Sequence, residues 1–164
     1  MRILGIDPGL ATLGYGVIDT AGSKITLITA GAVITTPDMI TPDRLCFIRS
    51  QVNQLLQLYR PEQIAFEELF FYKNITTGMN VSAARGVTVC TCAEYTKELF
   101  EYTPMQIKQA VVGYGHADKH QVQQMVKMLL NRKEIPKPDD AADAIACAIT
   151  HASSGLLREQ FRMK

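Results

Sequence analysis

Three groups of carboxylates stand where apolar segments end or begin, and they are the residues of this sequence best suited to chemistry. The groups are Asp7, the pair Glu67-Glu68, and the set Asp139, Asp140 and Asp143. Carboxylates that separate elements deliver to one place bind hard divalent cations such as Mg²⁺. Taken singly, each acid has an ordinary structural explanation, but as a set they favour a metal site.

Asp7 closes the apolar run at residues 3–6 and precedes Pro8-Gly9. Proline lacks the N–H that a strand needs and glycine accepts turn dihedrals, so the strand ends here and Asp7 lies at its exposed end. An Asx turn is the alternative role for this aspartate.

Glu67 and Glu68 follow the strand-like segment 63–66. Side chains alternate along a strand, so at most one of the two glutamates faces an inward site, and the spacing does not select which. A solvated strand end is the alternative for both residues.

The third acidic group precedes or opens a helix. Asp139 and Asp140 fit the helix N-cap as well as a metal site, and Asp140 with Asp143 imitates a capping box. Asp143 is harder to explain as a cap, because the helix around it is apolar almost all round and a buried carboxylate needs a partner or a metal. Asp143 shares a helix face with Asp139 or Asp140.

The composition describes one globular domain with a substantial core, since 47% of the 164 residues are apolar. No apolar run is long enough to span a membrane, and no secretory signal pattern is present. Four cysteines without zinc-like spacing favour reduced core thiols in a cytoplasmic protein. A net charge of +1 does not argue for or against nucleic acid, because an acidic metal site can offset a basic surface.

The hydrophobic periods predict an α/β fold. Strands are predicted at 2–7, 13–19, 24–34, 63–67 and 100–103, and helices between Thr41 (as N-cap) and Pro61 and at 79–99, 104–112, 118–131 and 139–154. Residues 70–78 have no period and are predicted as a loop. Glycines inside strands, at positions 5, 14 and 16, indicate bulges or close backbone approach. Hairpins and helical crossovers together imply a mixed five-stranded sheet flanked by helices.

The chain resembles the bacterial RuvC Holliday junction resolvases from residue 1 to about 152. The motifs that carry the resemblance are, in order, MRILGIDPG at 1–9, GYGV at 14–17, AFEELF at 65–70, ARG at 84–86, QIKQ at 106–109, VVG at 111–113, KHQVQ at 119–123 and DAAD at 140–143. The family implies a ribonuclease H-like fold, a homodimer, and Mg²⁺-dependent nicking of two symmetry-related strands of a four-way DNA junction. It also implies two ions per subunit, Mn²⁺ as an alternative ion, and a branch-migration helicase as partner.

The resemblance assigns roles residue by residue. The positions that match the family's catalytic, metal-binding acids are Asp7, Glu67, Asp140 and Asp143, which selects Glu67 over Glu68. Phe70 matches a loop aromatic that acts on bases at the junction centre, and Lys108 and Lys119 match basic residues near the site. Asp139 departs from the family pattern, so the choice between Asp139 and Asp140 stays open. The nuclease domain is expected at 1–156, with a short, flexible tail at 157–164.

Two further expectations concern assembly and rival functions. Small residues at Ala83, Ala84 and Gly86 predict that the helix at 79–99 forms much of a dimer interface. The rivals are another ribonuclease H-fold nuclease acting on flaps or single strands, an actin-like nucleotide-binding domain, and a non-catalytic junction binder. The actin-like fold repeats its strand pattern and carries a glycine-rich adenosine motif, and this sequence has neither.

Overall fold

The structure is a computed structural model that describes residues 1–69 and 75–164, with side chains for 1–69 and 78–164. The strands are β1 (Arg2–Asp7), β2 (Thr12–Ala21), β3 (Lys24–Ile34), β4 (Gln63–Glu67) and β5 (Leu99–Tyr102). The helices are α1 (Thr41–Tyr59), α2 (Ile75–Tyr95), α3 (Pro104–Val112), α4 (Lys119–Leu129) and α5 (Asp139–Ser153), and a 3₁₀ helix follows at Gly155–Phe161. No helix in these ranges is long and apolar enough to cross a membrane.

The five strands form one mixed sheet in the order β3-β2-β1-β4-β5. The β1–β2 and β2–β3 pairs are antiparallel hairpins, and β1–β4 and β4–β5 are parallel pairs joined through helices. The predicted mixed five-stranded sheet is therefore confirmed. Because β1 lies between β2 and β4, its last residue, Asp7, pairs with Gly14 of β2 and lies beside the end of β4.

The two faces of the sheet carry separate cores. Even-numbered residues of β1 and β4, such as Leu4 and Phe66, are fully buried against α1 and α2. Odd-numbered residues, such as Ile3 and Ala65, are fully buried against α3, α4 and α5. Since side chains alternate along a strand, Asp7 and Glu67 share the face that α5 covers.

Three strand glycines create a flat surface on that face. A Cβ atom at Gly5 would collide with the backbone of Ala144, one at Gly14 with the backbone of Asp140, and one at Gly16 with Ile145. The helix α5 is rich in alanine and lies directly on this surface. Close backbone approach, one of the two explanations for these glycines, is confirmed; the one register shift of β2 falls between Val17 and Ile18.

Helix boundaries differ from expectation by one or two residues in α4 and α5, and more informatively in α2 and at the start of α1. The α2 helix occupies 75–95 rather than 79–99, because the Thr96 hydroxyl accepts the Glu98 N–H in a turn that leads into β5. Residues 75–78, predicted as loop, are helical. Thr41 is the first helical residue rather than the N-cap, since Ile40 holds that position without a side-chain hydrogen bond.

The C-terminal segment lies along β5. Arg162 pairs with Phe100 in an antiparallel bridge, its guanidinium contacts Glu98, and the Met163 N–H donates to Leu99. These contacts cover a sheet edge that would otherwise expose unpaired backbone groups. The domain boundary after residue 156 stays a prediction.

A buried histidine joins α5 to two strands. His151 Nε2 donates to Gln63 Oε1 at 2.8 Å, because that oxygen also accepts from Arg158 and must be an acceptor. His151 Nδ1 therefore accepts from the Tyr102 hydroxyl at 2.7 Å. The ring is neutral in this network, and burial, followed by the nearby Arg158 charge, lowers the pKa of His151 to about 4.

Candidate active site

Asp7 and Glu67 lie side by side at the carboxyl ends of neighbouring strands. The parallel β1–β4 register pairs Ile6 with Phe66, so the next residues along the strands are Asp7 and Glu67. Adjacent strands are about 4.8 Å apart, and both side chains point to the same face. Glu68 alternates to the other face, and its N–H donates to Tyr102. The structure thus distinguishes the two glutamates, which strand alternation alone could not do.

Helix α5 brings two more acids to this end of the sheet. Gly14 pairs with Asp7 across the β1–β2 ladder, and the backbone of Asp140 occupies the space beside Gly14. Asp143 lies three residues further on, hence on the same side of the helix. Pro138 is the N-cap of α5 and no side-chain cap bond is found there, so the capping explanation for Asp139 and Asp140 loses its support.

A lysine from α4 reaches into the acidic cluster. Lys119 Nζ lies 3.0 Å from Asp143 Oδ2 and 3.6 Å from Asp139 Oδ2. A capping box, in which Asp118 and Gln121 satisfy each other's backbone N–H groups, fixes the start of α4 and with it the position of Lys119.

A pocket of about 270 Å³ opens between these elements. Glu67 and Asp143 line it together with Lys119 and Lys108, and α3 supplies the last of these. Lys108 is half-buried there rather than on a fully solvated helix face. The pocket therefore presents carboxylates and ammonium groups to one small volume.

Burial and the repulsion between neighbouring acids raise the pKa values of Asp7 and Glu67. Burial, then the charges of Asp143 and Asp140, raises the pKa of Asp7 to about 7, although Lys119 opposes the shift. Burial, then the charge of Asp7, raises the pKa of Glu67 to about 8. The raised pKa values of both carboxylates reflect their burial first and the repulsion between neighbouring acids second.

In the contact between Asp143 of α5 and Lys119 of α4, each charge offsets part of the cost of burying the other. Burial raises the pKa of Asp143, against the opposing effect of its hydrogen bond with Lys119. For Lys119, burial acts to lower the pKa, but the contacts with Asp143 and Asp139 outweigh it and the net direction is upward. Both ions of this pair are therefore stabilised by each other.

The donor set fits a hard divalent cation. Carboxylate oxygens are the ligands that Mg²⁺ prefers, and a bound cation would relieve the repulsion that raises the pKa values of Asp7 and Glu67. Within the side chains that the structure describes, no group of three or more acidic, histidine or cysteine residues stands at ligand distances. The four acids thus gather around the site without forming a closed ligand cage.

The remaining predicted residues fall in different places. Phe70 lies outside the described residues. Asp139 is exposed on the rim and contacts Lys119. Ala83 and Gly86 are exposed on α2, but Ala84 is fully buried in the core of its own domain, so its assignment to a dimer face was wrong. Small size allows close packing within a domain as well as between subunits, and this explains the error.

Gly14 is a site residue whose role the sequence did not reveal. A glycine inside a strand indicated a bulge or a close backbone approach, but the partner of that approach, the backbone of Asp140, depends on tertiary structure.

Comparisons with known proteins agree with this geometry. The family model for "Crossover junction endodeoxyribonuclease RuvC" matches residues 3–151. Proteins of that name from Alkaliphilus oremlandii and Alkaliphilus metalliredigens are 52% and 54% identical to the chain over 164 residues, with all of both sequences covered in each case. The solved structure of Thermus thermophilus RuvC with a Holliday junction substrate has a TM-score of 0.90 and 38% identity, over 96% of each chain. The fold is thus ribonuclease H-like, and the chain belongs to the RuvC family of crossover junction endodeoxyribonucleases.

Proposed function

We propose that this chain resolves four-way DNA junctions by hydrolysing phosphodiester bonds with the help of divalent metal. The observation that carries the proposal is the convergence of Asp7, Glu67, Asp140 and Asp143 at one end of the sheet, beside Lys119. The relatives bear the name of a crossover junction endonuclease, and the Thermus thermophilus protein was solved with such a junction. The RuvC family as a whole uses divalent metal.

The four acids are proposed as the metal ligands, with two Mg²⁺ ions per subunit and Mn²⁺ as an alternative. When bound, such ions activate a water molecule and stabilise the leaving oxygen of the phosphodiester. Asp7 and Glu67 end β1 and β4, each of which has a hydrogen-bonded strand on both sides, so both ligands are rigidly placed. Lys119 and Lys108 border the same pocket and supply positive charge toward the phosphate.

Paired cutting is proposed to require a homodimer. A two-fold symmetric dimer presents two equivalent sites, which matches a junction with two symmetry-related strands. The exposed residues Ala83 and Gly86 on α2 support an interface there, since they allow close helix approach.

Phe70 is proposed to stack on unpaired bases at the junction centre, as its family counterpart does.

A branch-migration helicase and a cytoplasmic location complete the proposal. The helicase follows from the family resemblance, and the location follows from the cysteines. The four cysteines are free thiols, which fits a reducing compartment.

Incubation of the purified chain with Mg²⁺ and a labelled synthetic four-way junction tests the proposal. We expect paired nicks at symmetric positions in two opposing strands, and no cutting of a duplex of matched sequence. The same assay with flapped and single-stranded DNA addresses the rival nucleases. Preference for either of those substrates over the junction would contradict the proposal, and Asp7→Asn serves as the inactive control.

A further inference from the structure

Lys119 is shared between two carboxylates that differ in their surroundings. Its ammonium lies 3.0 Å from Asp143, whose side chain is 23% exposed, and 3.6 Å from Asp139, whose side chain is 65% exposed. Asp143 belongs to the acidic cluster, whereas Asp139 stands at its rim. Lys119 therefore bridges the cluster and an outer acid that has no assigned role.

Asp139 is poorly placed to be a metal ligand itself. Consecutive residues of a helix point about 100° apart, so Asp139 cannot share the direction of Asp140. It is the backbone of Asp140 that is packed on Gly14 beside Asp7, whereas the Asp139 side chain is 65% exposed. The contact that the structure gives to the Asp139 carboxylate is with Lys119.

Metal binding at Asp143 would weaken the ion pair between Asp143 and Lys119. A divalent cation held by Asp143 would neutralise that carboxylate and would repel a neighbouring ammonium group. Lys119 then needs another anchor, or its flexible side chain moves into solvent. Asp139 is the carboxylate within reach.

We propose that Asp139 is a positioning residue that holds Lys119 at the rim of the site when a divalent cation occupies Asp143. The inference rests on the proposed function, in which Lys119 acts on the scissile phosphate. Without Asp139, Lys119 either remains on Asp143 and competes with the metal, or leaves the site. Both outcomes lower the rate, and the first also weakens metal binding.

The expected effect is modest because the pair is exposed. Ion pairs at such positions change equilibria by roughly two- to fivefold. We therefore expect Asp139→Asn to slow single-turnover junction cleavage by about two- to fivefold, without weakening junction affinity, since one negative charge near the DNA is removed. The Mg²⁺ concentration that gives half of the maximal rise in melting temperature should increase by a similar factor.

A double-mutant cycle with Lys119→Gln separates this role from others. If Asp139 acts through Lys119, Asp139→Asn has little further effect on cleavage or on Mg²⁺-dependent stabilisation in the Lys119→Gln background. Glu134→Gln is the matched control, because it removes an exposed negative charge from the connector before α5, and no ion pair of Glu134 is found among the described residues. It should leave both measurements unchanged.

Two outcomes would overturn the proposal. An undiminished effect of Asp139→Asn in the Lys119→Gln background would mean that Asp139 acts on the metal or the DNA directly. Wild-type behaviour of Asp139→Asn in both measurements would mean that Lys119 needs no second anchor. If no variant cleaves any junction, the proposed function fails instead, and the Mg²⁺-dependent melting temperatures still decide the coupling between Asp139 and Lys119.

Discussion

Gly14 lies directly opposite Asp7 across the β1–β2 ladder, and the backbone of Asp140 fills the space that a side chain at Gly14 would occupy. The absence of one Cβ atom thus lets α5 carry its acids up to the end of β1. The distance between the strand acids and the helix acids depends on this contact.

We expect Gly14→Ala to impair catalysis more than stability. The added methyl group must push Asp140 away from Asp7, and misplacement of catalytic groups by about 1 Å costs on the order of a hundredfold in rate. Overpacking itself costs roughly 1–3 kcal/mol. Single-turnover cleavage and urea unfolding of the same variant measure the two effects.

Gly16→Ala is the matched control for that substitution. Gly16 lies on the same face of β2, but an added methyl group there meets Ile145 in the core rather than Asp140. Its loss of stability should be similar and its loss of activity much smaller. Equal losses of activity in the two variants would show that Gly14 matters for packing alone.

The sequence predicted the strands and most helices well because their local signals agree with the tertiary structure. Strand β4 and helix α3 have the predicted bounds, 63–67 and 104–112. The choice between Glu67 and Glu68 did not follow from the residues, because alternation fixes only that they face opposite ways. Which face is covered by α5 is a tertiary property, visible in the burial of Ala65 against that helix.

We expect Asp7→Asn to abolish cleavage, to retain junction binding and to stabilise the metal-free protein. Affinity comes mainly from phosphate contacts elsewhere. The wild-type carboxylate, whose pKa is raised to about 7, is destabilised when charged. At pH 8 without metal the variant should therefore be more stable by roughly 2–4 kcal/mol. Urea unfolding in a chelating buffer and a junction-binding assay measure these effects; normal nicking would refute the four-acid site.

The stabilisation by Mg²⁺ should grow as the pH rises from about 5.5 to 8. Asp7 and Glu67 have pKa values raised to about 7 and about 8, so over this interval the unfolded chain has lost protons that the folded chain keeps. The free energy of unfolding of the metal-free protein then falls with rising pH. Mg²⁺ binds the ionised carboxylates and removes that penalty, so its effect is largest at high pH.

Melting temperatures with and without Mg²⁺ at several pH values check this prediction. In Asp7→Asn the pH dependence of the metal-free protein should become flatter, because one of the two raised pKa values is gone. A Mg²⁺ effect that is the same at pH 5.5 and pH 8 would be incompatible with these carboxylates as ligands.

We expect Gly86→Arg to yield a folded monomer. Gly86 belongs to an exposed stripe of α2 with Met79, Ala83 and Cys90, and a Cβ atom added there has no atom of the described residues within 4 Å. Arginine also favours a helix over glycine, so the fold should not suffer. Sedimentation measures the oligomeric state, and labelled junctions show whether the two nicks become uncoupled.

Ala84 provides the contrasting substitution. Its side chain is fully buried in the core that α2 shares with α1, β1 and β4, so Ala84→Arg should unfold the domain rather than separate subunits. An unchanged dimer in Gly86→Arg would place the interface on another surface.

The last prediction concerns acid stability and His151. The neutral ring accepts from Tyr102 and donates to Gln63, and the pKa of His151 is lowered to about 4. Between pH 6.5 and 4, His151 binds a proton in the unfolded chain but not in the folded chain. The free energy of unfolding therefore falls as the pH falls. The contribution is on the order of 3 kcal/mol.

His151→Asn isolates that contribution because asparagine does not titrate, while its amide can still accept from Tyr102. Urea unfolding at pH 7 and pH 4.5 should show the difference in free energy between wild type and variant shrinking at the lower pH. An NMR titration of the His151 ring in the folded protein gives a direct check. A ring that titrates near pH 6.5 without unfolding would show that the buried network tolerates the charged form, and the predicted link between His151 and acid stability would be wrong.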